Sequence, residues 1–417
     1  MASIRALRIG VALAALALVG FSAPAQERLA ASDLVYLGAF AYPPGTAGEW
    51  AYSGQALAYY PSGDPSGPPD GHPGSLFADG HDYGDLVGEI SIPQPVVSND
   101  FTTLPEATVL TPLADITGGW ISGCNHAGTC PDCEFREVAG LEYLPNLDRV
   151  AWNLRDWYNV GGCDLDSLGW SRRDLGGAEG IWHVGPRPSA DNSFHNGKTC
   201  NYLFTAPEGF AAQHLGGRWL IAGNHRQAGA FGGSQGPTLF ATAPWLDGNP
   251  PATGANLGAT ALVYYPEVVA CAGGNQHDLC YYPGYRVDDA WGGAAWVEAD
   301  GETAVVMFGR KGLGENCYGT PGGDCPPSAC SMYYGWHSPP YEPQVLFYDP
   351  SEIAEAAAGV RNPWDVLPYE IFRPAVEVFN ADCPRLNAVA YDRANRLIYV
   401  TESEAGPWGE TAVHVWK

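Results

Sequence analysis

Apolar and small residues recur along this 417-residue chain in short alternating runs, separated by Gly, Pro, Asn and Asp. Runs of that length and period predict short β-strands rather than helices. The runs fall into five related phrases, each with a small-residue apolar strand, a turn, a second strand ending in polar residues, and a third strand further on. The first phrase takes Gln55 to Pro61, Leu76 to His81 and Val87 to Pro93; the second takes Ala139 to Pro145, Arg149 to Arg155 and Ile181 to Pro186. The third takes Gly209 to His214, Arg218 to His225 and Thr238 to Trp245, and the fourth Gly293 to Glu298, Thr303 to Arg310 and Gln344 to Pro350. The fifth takes Asn387 to Tyr391, Arg396 to Glu402 and Thr411 to Trp416. One more short run stands before each phrase: Leu34 to Phe40, Thr108 to Leu113, Tyr202 to Ala206, Ala261 to Tyr265 and Tyr369 to Phe379.

Four-stranded units repeated radially make a β-propeller, in which each blade covers its faces with its neighbours. The expected fold is therefore all-β, a single propeller of five four-stranded blades spanning residues 26 to 417. The first unit contributes the N-terminal run Leu34 to Phe40 and the last ends on the C-terminal residues, so the two would close one ring. This strand offset resembles that of WD-repeat propellers, although the WD signature is absent. Residues 34 to 417 give about 77 per unit, well above the ~40–45 of a minimal blade, so the surplus lies in loops.

Loops joining outer to inner strands and loops joining second to third strands emerge on one face, called the top here. Ten of the eleven cysteines fall there: Cys124, Cys130, Cys133, Cys163, Cys271, Cys280, Cys317, Cys325, Cys330 and Cys383. Disulfide-bonded top loops are expected, with Cys271 to Cys280 the one pairing that spacing suggests. Cys200, placed at the start of an outer strand, is expected on the opposite face as the odd thiol. Cys124, His126, Cys130 and Cys133 also have the makings of a zinc site, but the second close couple that such sites use is missing.

Arg5 and Arg8 precede the apolar run Ile9 to Phe21 and the small-residue site Ala23-Pro24-Ala25, the order of a signal peptide over residues 1–25. A secreted or periplasmic protein is expected, with no integral membrane segment. The formal charge is −25. So acidic a chain disfavours nucleic acid and anionic membrane as partners.

Aligning the ends of the second strands brings His81, Arg155, His225, Arg310 and Glu402 to equivalent positions, followed by Asp82, Asp156, Arg226, Lys311 and Ser403. An unpaired buried charge is costly, so a repeat position that is ionisable throughout reads either as a ligand-facing polar ring or as salt bridges between blades. Carboxylates gather where inner strands begin, among them Glu137, Glu208, Asp288, Asp289 and Asp382. The candidate catalytic set is Glu137, Glu208, Asp289, His81, His225 and Glu402. Asp82, Arg155, Asp156, Arg226, Arg310 and Lys311 are the candidate binding set. Calcium is the cofactor that Asp79, Asp82 and Asp85, or Asp164 and Asp166, would suit.

The phrases Gly217 to Trp245, Pro343 to Gly359 and Asn387 to Trp416 resemble a group of exported bacterial β-propeller-like proteins with no assigned activity. Arabinanases, levansucrases and invertases share the inferred blade number alone, and their three carboxylates near the funnel would correspond to Glu137, Glu208 and Asp289. Two functions stay open at this point. One is a carbohydrate-active hydrolase or lyase: paired acids permit hydrolysis, and a His, Tyr or Arg group beside an acidic sugar permits elimination. The other is a non-catalytic propeller that binds glycan or protein, or assembles at the cell surface.

Overall fold

In the computed structural model of the chain, residues 27–417 are described apart from 45–48, 65–71, 122–135, 157–162, 188–192, 227–233, 235, 244–248, 267–280, 329, 331–332 and 375–376. Five sheets stand in a ring, the arrangement of a five-bladed β-propeller. Named from the inner strand outward, blade 1 is Leu57–Tyr60, Ser75–Asp79, Val87–Ile90 and Val109–Ala114. Blade 2 is Arg136–Leu144, Arg149–Asp156, Leu168–Arg172 and Ala178–Val184, with Asn256–Leu257 added in parallel at its edge. Blade 3 is Leu203–Thr205, Leu220–Ala222, Leu239–Thr242 and Ala259–Val263. Blade 4 is Ala290–Ala299, Glu302–Gly312, Tyr341–Tyr348 and Glu370–Phe372. Blade 5 is Leu386–Asp392, Leu397–Glu402, Ala412–Trp416 and, as its outer strand, Tyr36–Ala41 from near the N-terminus.

Neighbouring inner strands touch all the way round the axis, including that of blade 5 against that of blade 1. Their small residues make this approach possible: a β-carbon on Gly140 would meet the Asn201 carbonyl oxygen at 2.1 Å, and one on Gly293 the Asn387 oxygen at 2.5 Å. In blades 2, 4 and 5 tight hairpins return the chain from first to second strands. In blade 4 the turn is Asp300–Gly301, both at positive φ, the backbone that a two-residue hairpin needs. Aromatic side chains fill the space within and between blades, as where Trp170 and Trp182 stack at 3.6 Å in blade 2. Among the described residues no helix is long and apolar enough to cross a membrane.

The strand boundaries differ from the sequence reading in blades 2 and 3. The third strand of blade 2 is Leu168–Arg172, so the expected third strand becomes the outer one and Tyr202 to Ala206 supplies the inner strand of blade 3. Gly209 to His214, expected as that inner strand, lies in the helix Glu208–His214. Pro207, with no N–H to donate, stands at its start and Glu208 in its first turn, where an acidic group suits the helix dipole. Cys200 therefore stands on the top-side connection into blade 3, not on the opposite face.

At the bottom of the central channel Arg393 reaches from blade 5 across to the carbonyl oxygens of Thr205 and, at 3.1 Å, Trp296, bracing three blades. Beside it the Glu142 carboxylate accepts the Thr205 hydroxyl at 2.8 Å. Burial lifts this carboxyl from 4.5 to about 7, against the opposing pull of that hydrogen bond and of Arg393. Between those two values the unfolded chain releases the proton and the folded chain keeps it, so this group makes stability fall as pH rises from 4.5 to 7. Glu142→Gln should therefore gain roughly 1–3 kcal/mol over the wild type at pH 8 relative to pH 4, read from urea unfolding at both. Phe40, fully buried on the ring-closing strand, tests closure: Phe40→Ala should cost about 3–5 kcal/mol in the same assay.

Candidate functional site

The top ends of the strands bring four guanidinium groups together. Arg155 and Arg310 lie near the ends of the second strands of blades 2 and 4. Arg226 follows the second strand of blade 3, and Arg385 stands just before the inner strand of blade 5. Asp288, on the connection leading into blade 4, is their hub. It accepts Arg226 at 3.2 Å, Arg310 at 3.1 Å and the Tyr341 hydroxyl at 2.5 Å. The Arg310 guanidinium also lies over the Tyr341 ring, 5.2 Å from its centre. Burial, then the Asp288 charge, pushes the Tyr341 hydroxyl up to about 12, so it stays protonated and donating at neutral pH.

Arg155 pairs with Glu137, donates to the Asn201 side chain at 2.6 Å, and lies 3.4 Å from His225. Arg385 pairs with Glu404 and reaches the Cys330 carbonyl oxygen and, at 3.3 Å, the Cys383 sulfur. Cys330 and Cys383 form a disulfide, so the bridge that joins the top loops of blades 4 and 5 also fixes this arginine. Among the described residues, four arginines thus face three carboxylates, Glu137, Asp288 and Glu404, a positive excess in an acidic chain. The buried Nε atoms of Arg155 and Arg310 make no hydrogen bond among the described residues. Burial first, and then Arg155, Arg226 and Arg310, hold the His225 imidazole well below its ordinary pKa, so it is neutral.

In sequence the chain matches no family model and no curated protein.

The residues singled out from the sequence fall into three groups. Arg155, His225, Arg226 and Arg310 converge on the cluster just described, with Glu137 at its edge. Asp289 and Lys311 form a neighbouring pair at 2.7 Å, where the Asp289 carboxylate also accepts the Arg286 and Gly312 amides, each at 2.7 Å. Burial raises Asp289 to about 6 and lowers Lys311, moving both toward neutrality. This pair fastens the loop that carries Asp288.

The second group serves the scaffold. Glu402 is fully buried and accepts the Phe379 amide at 2.9 Å, the Asn380 amide at 2.8 Å and His414 Nε2 at 2.8 Å. With its Nε2 proton committed, His414 accepts the Tyr36 hydroxyl through Nδ1 at 2.9 Å. Glu402 therefore closes a chain of bonds across blade 5 and does not point into the funnel. Asp79 is its counterpart in blade 1, where its two oxygens take the amides of Gly54, Gln55 and Ala56.

The third group lies away from the cluster. His81 sits on the loop beyond Asp79, paired with Asp82 at 2.8 Å and stacked on Tyr83. Glu208, on the helix that joins the first two strands of blade 3, is on the bottom face, a correction that follows from the shifted strands. Asp156 ends its strand, and its side chain is outside the described residues.

The calcium and zinc candidates fare differently. Asp79 spends both oxygens on amides, Asp164 takes His183 at 2.7 Å and Asp166 takes Arg187 at 2.7 Å. No group of three or more His, Cys, Asp or Glu among the described residues is placed to hold a metal ion. Cys124, His126, Cys130 and Cys133, like the pair Cys271 and Cys280, lie outside the described residues. Disulfides join Cys317 to Cys325 and Cys330 to Cys383, Cys163 is also disulfide-bonded, and Cys200 is a buried thiol.

Tyr341, Arg385 and Glu404 are the cluster members that the sequence reading left out. Arg385 carries a usable signal, since it precedes an inner strand just as Glu137 and Asp288 adjoin theirs. Tyr341 has none, because its role depends on facing Gly312 across a sheet. For Glu402, a scaffold role has a direct consequence. Glu402→Ala should leave two amides and His414 without their acceptor and cost about 3–5 kcal/mol, read as a drop in thermal midpoint.

Proposed function

We propose that the arginine cluster on the top face seats the acidic group of an extracellular glycan, in a protein exported by its N-terminal segment. The observation that carries this reading is the convergence of Arg155, Arg226, Arg310 and Arg385, against three carboxylates among the described residues, in a chain of charge −25. Guanidinium forks match carboxylate and sulfate oxygens in pairs, and partial burial strengthens each such bond. Arg226 and Arg385 keep about a third of their side-chain surface exposed, at 32% and 28%, so an arriving anion can reach them. Glycans are favoured over small inorganic anions by the exposed aromatic rings of the same face, such as Tyr318, Tyr334 and Tyr83, which suit stacking on sugar rings.

A second reading adds a reaction. A uronate whose carboxylate is held by guanidinium groups has an acidified neighbouring C–H; His225 beside Arg155 would take that proton while the C–C double bond forms and the glycosidic oxygen leaves with a proton from solvent, which requires the ring to stay neutral with the uronate bound. Hydrolysis by paired acids has less support, because Glu137 is bound to Arg155 and Asp289 to Lys311.

Incubation of the purified protein with uronate-bearing, sulfated and neutral glycans, scoring both retained ligand and unsaturated product, tests both readings. Acidic members should be retained and neutral ones not, with retention weakening as salt is raised. Arg226→Gln should lower affinity about tenfold or more, the usual worth of a hydrogen bond to a charged group. Equal retention of neutral glycans, or none of any, would overturn the anion seat; retention without unsaturated product would leave binding and remove elimination.

A further inference from the structure

His225 stands where three blades meet. Arg155 of blade 2 lies 3.4 Å from both of its ring nitrogens, Arg226 is its chain neighbour, and Arg310 of blade 4 acts on it from across the funnel. Among the described residues the other charged groups around this cluster are Glu137 through Arg155, Asp288 through Arg226 and Arg310, and Arg385 with its partner Glu404 from the blade 5 side. The ring's hydrogen bonding is polarised. The Asn224 amide nitrogen donates to the Gly197 and Arg226 carbonyl oxygens, which leaves its oxygen facing His225 Nδ1 at 3.0 Å. Nδ1 therefore carries the proton and donates to Asn224, and Nε2 keeps its lone pair.

A neutral imidazole buried among guanidinium groups is a proton site held empty by burial first and then by its neighbours' charge. An anion settling on those arginines cancels that charge and gives the protonated ring a partner of opposite sign, which offsets the cost of its burial. We infer that an anion seated at Arg226 and Arg310 brings one proton with it, taken from solvent onto Nε2 of His225, which then donates to the anion; this rests on the reading of the cluster as an anion seat. Capture then strengthens as the medium becomes more acidic. Between the His225 pKa in the free protein and in the complex, affinity rises by up to about tenfold for each unit of pH lowered.

Titration calorimetry on the full mature chain at about pH 6, with sulfate and separately with an oligogalacturonate, measures this when run in two buffers of different ionisation heat. The expected result is uptake approaching one proton per anion bound. In parallel, the NMR signal of the His225 ring should move to its protonated position on saturation. That signal also separates uptake on His225 from uptake on Asp289, which titrates near 6 beside the same loop. His225→Gln should flatten the dependence of affinity on pH, and the wild-type ring signal keeps the test independent of how that variant folds. Binding of only the oligogalacturonate with the proton would keep the inference and restrict it to carboxylates. Binding without proton uptake, or uptake that leaves the His225 ring neutral, would overturn the inference and leave the seat standing. Failure of both probes to bind would overturn the seat itself.

Discussion

The arrangement of the top face depends on one antiparallel pairing, that of Tyr36–Ala41 with Ala412–Trp416. The last sheet reaches its four strands, and the ring is tied shut, only through this pairing, which residues from near the two ends of the chain supply. Side chains reinforce the backbone pairing. Glu402, His414 and Tyr36 form one line of hydrogen bonds through the second, third and outer strands of blade 5. Glu402 also holds the amides of Phe379 and Asn380, on the connection that carries Cys383 and Arg385. Closure and the placement of a cluster arginine are thus two consequences of the same buried carboxylate.

The same strand end does different chemistry around the ring. In blades 1 and 5 it bears a carboxylate, Asp79 or Glu402, turned onto backbone amides of its own blade's entering loop. In blades 2 and 4 it bears an arginine held by a carboxylate, Glu137 at the start of the inner strand or Asp288 on the loop that enters it. Each solution satisfies the buried loop, and only the second leaves cation surface directed at the funnel. The polarity of the face follows. Near blade 1, Glu137, Asp82, Asp79 and Asp115 all help burial to push Asp85 up to about 7, whereas blades 2 to 5 supply the arginines.

Much of this was legible in the sequence, and the exceptions have local causes. Blades 1, 4 and 5 could be read off because their alternation is regular and their hairpins carry Asp, Asn and Gly. The third strand of blade 2 escaped because Gly169 interrupts its alternation, yet glycine is required there: a β-carbon would lie 2.2 Å from the Trp152 ring. The helix Glu208–His214 passed for a strand because its Gly-Phe-Ala-Ala core is small and apolar in either structure. Repeat position found Arg155, His225, Arg226 and Arg310. It could not tell that Glu402 turns inward to amides, because that depends on a loop brought back by tertiary packing.

Electrostatics bears on why such a cluster persists in so acidic a chain. Each guanidinium removed from water loses hydration that its carboxylate partner restores only in part, and scaffold stability alone would be served as well by apolar packing. Glu402 and Asp79 show the economical alternative on the same face, a carboxylate satisfied by neutral amides. Arg155, Arg226, Arg310 and Arg385 are instead left partly buried with fewer acids than cations, and with two Nε atoms unbonded among the described residues. An arriving anion would supply the missing acceptors.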